Sequence, residues 1–396
     1  MEPTHGTRRW LTRNVVWLGV VSLLTDASSE MIVPLLPAFV VSVLGGGALA
    51  LGGIEGAAEA VASLMKLASG RWADRIGKHR PFVLAGYGLS TLARPLVALA
   101  AAPWHVLLVR IADRTGKGLR SSPRDALLAA SVDEESRATA YGFHRAMDHA
   151  GAVLGPLFAL ALLAWVTRDL RVVFALALVP GVLAVLAIAV GVREAEPSPE
   201  PADGADTSMR PGPDLVRFLV PFGVFTLGNA SDAFLLLKAT EEDASLLTLP
   251  LMWIVLHVVK SLTSTPGGWV ADRIGKRRTI LVGWLIYAAT YVGFGLAEHE
   301  AIVWALVVVY GSFHGLTEGP ERALVAELVP GGKRGAGFGW YHLVAGIGGL
   351  GASLIFGALW DALGSREAFL TAAGLAVTAA VLLGVVGRPR SAQPVK

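Results

Sequence analysis

In the stretch LLTDASSEMIVPLLP, residues 23–37, two carboxylates interrupt a run that otherwise avoids charge: Asp26 and Glu30, followed by Pro34 and Pro37. Four residues apart, they share one face of a helix. The ionisation of a carboxyl group depends on its hydration and on nearby cations, so such a pair can load and release a proton when either changes, and its titration belongs to the pair. Asp148, one turn from Arg145, and Asp232 are further candidates for the same work. A second group joins them as candidates for a substrate cavity: Arg94, Arg110, Arg114, Arg145, His257, Lys260, His314, Glu318 and His342. For any one of these residues, mutual neutralisation in an ion pair is an equally good account. For the whole set it is weaker, because a bundle that needs only stability is better built without buried charge.

The elements that must position these groups follow from composition. The chain has 396 residues, 54% hydrophobic and 16% charged, with a mean hydropathy of +0.57. That is too apolar throughout for a soluble globular protein and reads as an integral membrane protein. Crossing the hydrocarbon core takes about 20 apolar residues as a helix. Twelve segments qualify, near 14–40, 47–69, 81–101, 104–125, 138–165, 170–192, 214–238, 246–268, 279–298, 301–323, 335–360 and 367–387. Backbone groups in lipid must be satisfied within the segment, so the fold class is all-α and no sheet is expected. Counted from Asn14, Asp26 lies about 18 Å along its helix, close to the midplane.

Cysteine is absent, so no disulfide or thiolate metal site is expected. The N-terminal arginines precede a long run without a cleavage site, which reads as a first span and not a cleaved signal. Lys and Arg collect in alternate loops, among them DRIGKHR, residues 114–137, DRIGKRR, GGKRG and the tail GRPRSAQPVK, with Arg168, Arg171 and Arg366 as exceptions. The positive-inside rule therefore predicts a multi-pass cell-membrane protein with both termini cytoplasmic. Residues 193–213 are Pro-rich, acidic and non-periodic, a linker between an N-terminal bundle (1–192) and a C-terminal one (214–396). The halves repeat. ADRIGK at 73–78 returns at 271–276, 198 residues on, and Pro123, Arg137 and Gly142 return as Pro320, Arg334 and Gly339, each 197 on. Tandem six-helix units are one plan of secondary transporters.

GRWADRIGKHR and GGWVADRIGKRR resemble the loop signature of the major facilitator superfamily, carried by Gly70, Asp74, Arg75 and Gly77 and again by Gly268, Asp272, Arg273 and Gly275. GFHRAMDHAGAVLGP is similar to that superfamily's antiporter motif at Gly142, Gly151, Gly155 and Pro156, with Ala159 and Leu160 where a glycine pair would close it. Pro34-Leu35-Leu36-Pro37 resembles the PxxP element of twelve-span drug:proton antiporters. The resemblance implies two pseudo-symmetric six-helix bundles, alternating access, and a loop that latches the outward-facing state. On its own chemistry, Asp74 can face a helix N-terminus, and Gly70 and Gly77 permit close approach and a tight turn.

The fourth segment departs from that pattern. RIADRTGKGLRSSPRD aligns Arg110, Asp113, Arg114, Lys117, Arg120 and Arg124 on one helix face. Lys117, Arg120 and Arg124 are expected to reach the cytoplasm as topogenic charges, with Arg110 and Arg114 deeper. Enzyme readings fail. HEAIV at 299 lacks the second histidine of a zinc protease, and GIGGLG at 346–351 lies inside an apolar span with no preceding strand. The expected function is export of a small organic molecule by proton-coupled antiport, acting as a monomer in the bilayer without cofactor, metal or nucleic acid. Uptake or exchange of an organic anion, motivated by the arginines, and a transporter-like receptor or scaffold are the alternatives.

Overall fold

The computed structural model describes residues 10–46, 48–195, 210–242 and 249–386. The arginines before Trp10, most of the 193–213 linker and the basic tail lie outside the described residues. Twelve long helical segments run in sequence: α1 Arg13–Val43, α2 Ala48–Ile76, α3 Arg80–Leu99, α4 Pro103–Ala130, α5 Glu134–Trp165, α6 Leu170–Gly191, α7 Pro213–Glu241, α8 Leu249–Ile274, α9 Lys276–Leu296, α10 Glu300–Leu328, α11 Gly331–Leu363 and α12 Ser365–Val385. Among the described residues, nine of these are apolar enough to cross a membrane by length and composition, while α2, α4 and α8 are as long but more polar. No strand occurs among the described residues.

Local chemistry sets the breaks. The Thr12 side chain caps the first turn of α1. Its regular α-helix ends at Glu30, where Pro34 and Pro37 remove two donors and the chain passes through a tighter turn and then a wider one before Val43. Pro95 likewise opens a tightened last stretch of α3, Arg94–Leu99. The turns after α2 and α8 are left-handed at Gly77 (φ +68°) and Gly275 (φ +99°), a conformation that side chains rarely adopt. Both repeats of the loop signature thus spend a glycine on the same sharp reversal. The loops after α2, α4, α8 and α10 lie on one face, called the basic face below.

The surface is inverted relative to a soluble protein. Large apolar side chains such as Leu92, Leu186, Val190 and Leu354 stand exposed, and charge is enclosed. Apolar contact with lipid gives helices little reason to associate, so packing quality decides. In the second half, flat rings fill the core: Phe225 stacks on Trp284 at 4.6 Å and Tyr287 on Tyr291 at 4.0 Å, with Phe313 and Phe369 edge-on and Tyr310 tilted around them. In the first half, small residues let backbones meet. A Cβ on Gly151 of α5 would strike the Leu23 carbonyl of α1, and one on Gly155 the Ala27 carbonyl.

This contact generates a stability prediction. Gly151→Ala is expected to lower the thermal midpoint in detergent, by an amount equivalent to about 1–3 kcal/mol of overpacking. Gly88→Ala, where nothing lies within 4 Å, is expected to leave it unchanged or raise it slightly. Equal melting of the two variants would show that α1 and α5 can separate without loss.

Candidate functional site

At the end of α2, the Asp74 carboxylate accepts hydrogen bonds from the backbone N–H groups of Gly335 (2.9 Å) and Ala336 (2.7 Å) at the start of α11 in the other half. At the end of α8, Asp272 accepts from the N–H groups of Ala138 (3.1 Å) and Thr139 (2.8 Å) at the start of α5, and from the Thr139 hydroxyl (2.6 Å). A helix N-terminus offers unpaired donors and the positive end of its dipole, so each carboxylate is satisfied twice over. The backbones could not come this close with side chains between them. A Cβ on Gly70 would run into the Gly335 carbonyl, one on Gly268 into the Ala138 carbonyl, and one on Gly142 into the Ser264 carbonyl. Arg273 lies over the Trp269 ring at 3.5 Å, while Arg75 stays exposed. Pro156 lies inside the helix of α5, beyond these contacts.

Deeper in, charge joins the halves again. Arg145 of α5 pairs with Glu318 of α10 and with Asp148 on its own helix. Two imidazoles also reach Glu318: His149 at 3.3 Å and His314 at 3.2 Å. The matching contact by the repeat comes from α11, where His342 meets Asp125 of α4 at 2.9 Å, with Arg322 at 3.7 Å. His342 stands 197 residues after Arg145, and Arg322 the same distance after Asp125. The inter-half hydrogen bonds run from the two carboxylate seats at the basic face inwards to the cluster around Glu318. His257 lies beside them, 5.5 Å from the His149 ring and 4.9 Å from Trp253, with neither ring nitrogen hydrogen-bonded. Lys260 pairs with Asp232, which also accepts from the Tyr310 hydroxyl at 2.6 Å. Among the described residues no group of His, Asp and Glu is arranged to hold a metal ion.

The α4 charges do not reach the basic face as topogenic ends. Arg120 is 4% exposed, bonded to the Ser90 hydroxyl (2.8 Å) and set over the Tyr87 ring, and Arg124 is 9% exposed and paired with Asp125. The expectation fails because α4 runs on to Ala130, so these side chains sit within the bundle and not at its end. Farther from the basic face, Arg94 bonds Asp113 (2.8 Å) and the Thr25 carbonyl (3.0 Å), and Arg110 holds Glu55 through two bonds (2.9 and 2.6 Å). Arg114 lies 3.9 Å from Asp113. Arg110 and Arg114 thus meet carboxylates within the first half, whereas Arg120 is held by a hydroxyl and a ring alone.

Asp26 and Glu30 differ from all of these. Both are half-buried on α1, pressed from behind by Gly151 and Gly155, and neither makes a hydrogen bond through its carboxylate or an ion pair. Lys117 of α4, also half-buried, has no carboxylate in contact, although its charge acts on both acids. The sequence reads Lys117 as a topogenic charge, whereas the structure leaves it half-buried inside the bundle, and it does not single out Asp125, Glu321 or Arg322. The repeat could have found these last three, since Arg124-Asp125 returns 197 residues on with its charges exchanged, as Glu321-Arg322. Glu321 accepts from the Trp284 indole (3.2 Å) and the Tyr341 hydroxyl (2.9 Å).

The two carboxylate seats yield a prediction. Hydrogen bonds to charged groups are worth about 1.5–3 kcal/mol each. Asp74→Asn with Asp272→Asn is therefore expected to raise the modification rate of Ser121→Cys, in a chain with no other thiol, about tenfold or more with a membrane-impermeant maleimide applied to the basic face. An unchanged rate would make the seats ornamental to closure.

The architecture has relatives. A family model described as Major Facilitator Superfamily matches residues 18–256 and 215–396. An uncharacterized MFS-type transporter of Methanocaldococcus jannaschii is 29% identical over 97% of each chain. The multidrug resistance protein MdtH of Cronobacter sakazakii is 27% identical over 81% of this chain and 79% of its own. Among solved structures, the fucose:proton symporter FucP of E. coli superposes with a TM-score of 0.79 at 14% identity, covering 95% of this chain and 98% of the other. The human organic anion transporter MFSD10 superposes at 0.77 and 18%, covering 94% and 99%. With the family model spanning both halves, and the repeat, helix order and seats of the loop signature all in place, the chain belongs to the Major Facilitator Superfamily.

Proposed function

We propose that this transporter exports a small organic molecule in exchange for protons, with its basic face towards the cytoplasm. The observation that carries the reading is the state of Asp26 and Glu30. Asp113, Asp125, Asp148, Asp232 and Glu318 each have a cation or imidazole in contact. Asp26 and Glu30 have none. A carboxylate fixed to a guanidinium keeps its charge, whereas one with access to water and no fixed partner can exchange a proton as its surroundings change. Their place near the middle of α1, against the antiporter-motif glycines, lets a rocking of the halves alter that access. The likeness to multidrug resistance proteins supports export over uptake.

The test is made in proteoliposomes with ethidium as a cationic probe. Asp26→Asn with Glu30→Gln is expected to stop accumulation driven by a pH step while leaving exchange at equal pH largely intact, because exchange moves no net proton. Accumulation that survives in the double variant moves the proton site to Asp148 or Asp232.

A second reading, transport of an organic anion, is favoured by Lys117, the half-buried cation without a contact partner. Under it, Lys117→Gln weakens binding of a carboxylate probe such as fluorescein about tenfold and leaves ethidium binding unchanged, at roughly 1.4 kcal/mol for a lost charge-assisted bond. Under export of cations, the same variant binds ethidium as well as or better than the parent.

A further inference from the structure

A pocket of about 500 Å³ opens at the basic face of the first half, where α1, α3 and α6 meet. Four cations line it: Arg13, Lys78, Arg80 and Arg193. Two of them are partly engaged with the exposed carbonyls at the end of α6. Arg13 donates to Gly191 (2.9 Å) and Val190 (2.8 Å), and Arg80 to Val192 (2.8 Å) and Ala189 (3.0 Å). Each guanidinium has five donors and so keeps some free. The single acid in the wall, Glu194, is already committed to the N-terminus of α3, accepting from the N–H groups of His79 (2.9 Å) and Arg80 (3.0 Å). Lys78 and Arg193 are exposed, and their side chains form no hydrogen bond or ion pair among the described residues. The pocket therefore holds an uncompensated positive charge while its fixed hydrogen bonds keep it in shape.

An apolar track leads into it. On α6, Val179, Val182, Leu186 and Val190 stand exposed at helical spacing, and Val190 and Pro81 form part of the pocket wall. Cations at the end of a lipid-facing apolar stripe match a ligand with a phosphate at one end and hydrocarbon at the other. We propose that this pocket binds the headgroup of an anionic phospholipid, its phosphate between Lys78, Arg80 and Arg193 and its acyl chains along the α6 stripe.

The second half supplies an internal comparison. Its corresponding pocket, about 430 Å³, has Arg277 donating to the carbonyls of Leu383 and Gly384 as Arg80 does to α6. Here, though, two acids compensate: Asp214 pairs with Arg217 at 2.8 Å and Glu327 with Lys276. The first-half site is the stronger of the two.

The experiment compares thermal stability of the purified full chain in detergent with added phosphatidylglycerol, phosphatidylcholine or inorganic phosphate, alongside native mass spectrometry of lipid adducts. Phosphatidylglycerol is expected to raise the midpoint by several degrees over phosphatidylcholine, and phosphate alone to have no effect. Lys78→Gln with Arg193→Gln, which breaks no internal bond, is expected to melt as the parent without lipid and to bind phosphatidylglycerol roughly twentyfold less well, at about fivefold per cation. Arg278→Gln, in the second-half pocket, is expected to reduce adducts far less. Equal shifts by the two lipids would assign the pocket to another occupant, such as the acidic linker that follows it. A shift reproduced by phosphate, or undiminished binding by the double variant, also overturns the proposal.

Discussion

Two carboxylates seated on two helix N-termini hold this molecule in the state described. Asp74 and Asp272 reach across from one half to the other, each accepting from backbone donors that no other group of the helix can satisfy. The arrangement demands that backbones touch, and the glycines at 70, 142 and 268 are where they do. It also demands that both halves present the same parts in the same order, which the 197–198-residue repeat supplies. Closure at the basic face is therefore a property of the duplication and not of either half.

Above the seats, the same duplication has been used differently. Arg145 and His342 occupy equivalent places on α5 and α11, and each reaches a carboxylate of the opposite half. One is a permanent cation, the other an imidazole whose charge depends on its surroundings. A pair of bridges with unequal response to protons gives the closed state two different fastenings. Asp26 and Glu30 sit outside both, which is what leaves them available.

Much of this was legible in the sequence. Apolar run lengths gave twelve helices, since lipid leaves the backbone no other way to satisfy itself. The loop glycines were legible because a left-handed residue and a backbone touch leave no room for substitutes. Which carboxylate meets which cation was not. That depends on how α4, α5, α10 and α11 rotate against each other, and helix periodicity fixes a face but not its partner. Arg120 and Arg124 misled for a related reason: spacing alone reads the same whether a charged face meets water at a helix end or a Tyr87 ring and an Asp125 carboxylate inside the bundle.

The exchanged charges at 124–125 and 321–322 bear on ancestry. A protein assembled from two copies of the first half would set Arg145 against Ser121 in place of Glu318, and would bring Asp125 up against a second Asp125 where Arg322 now stands. Two copies of the second half would oppose Arg322 to itself. Neither homodimer would close as this chain does, so the two halves, although repeats, are not interchangeable. Of these four positions, Asp125 and Arg322 meet across the halves, whereas Arg124 holds Asp125 and Glu321 holds Trp284 and Tyr341 within their own half, so a change at 125 or 322 is felt on both sides of the linker.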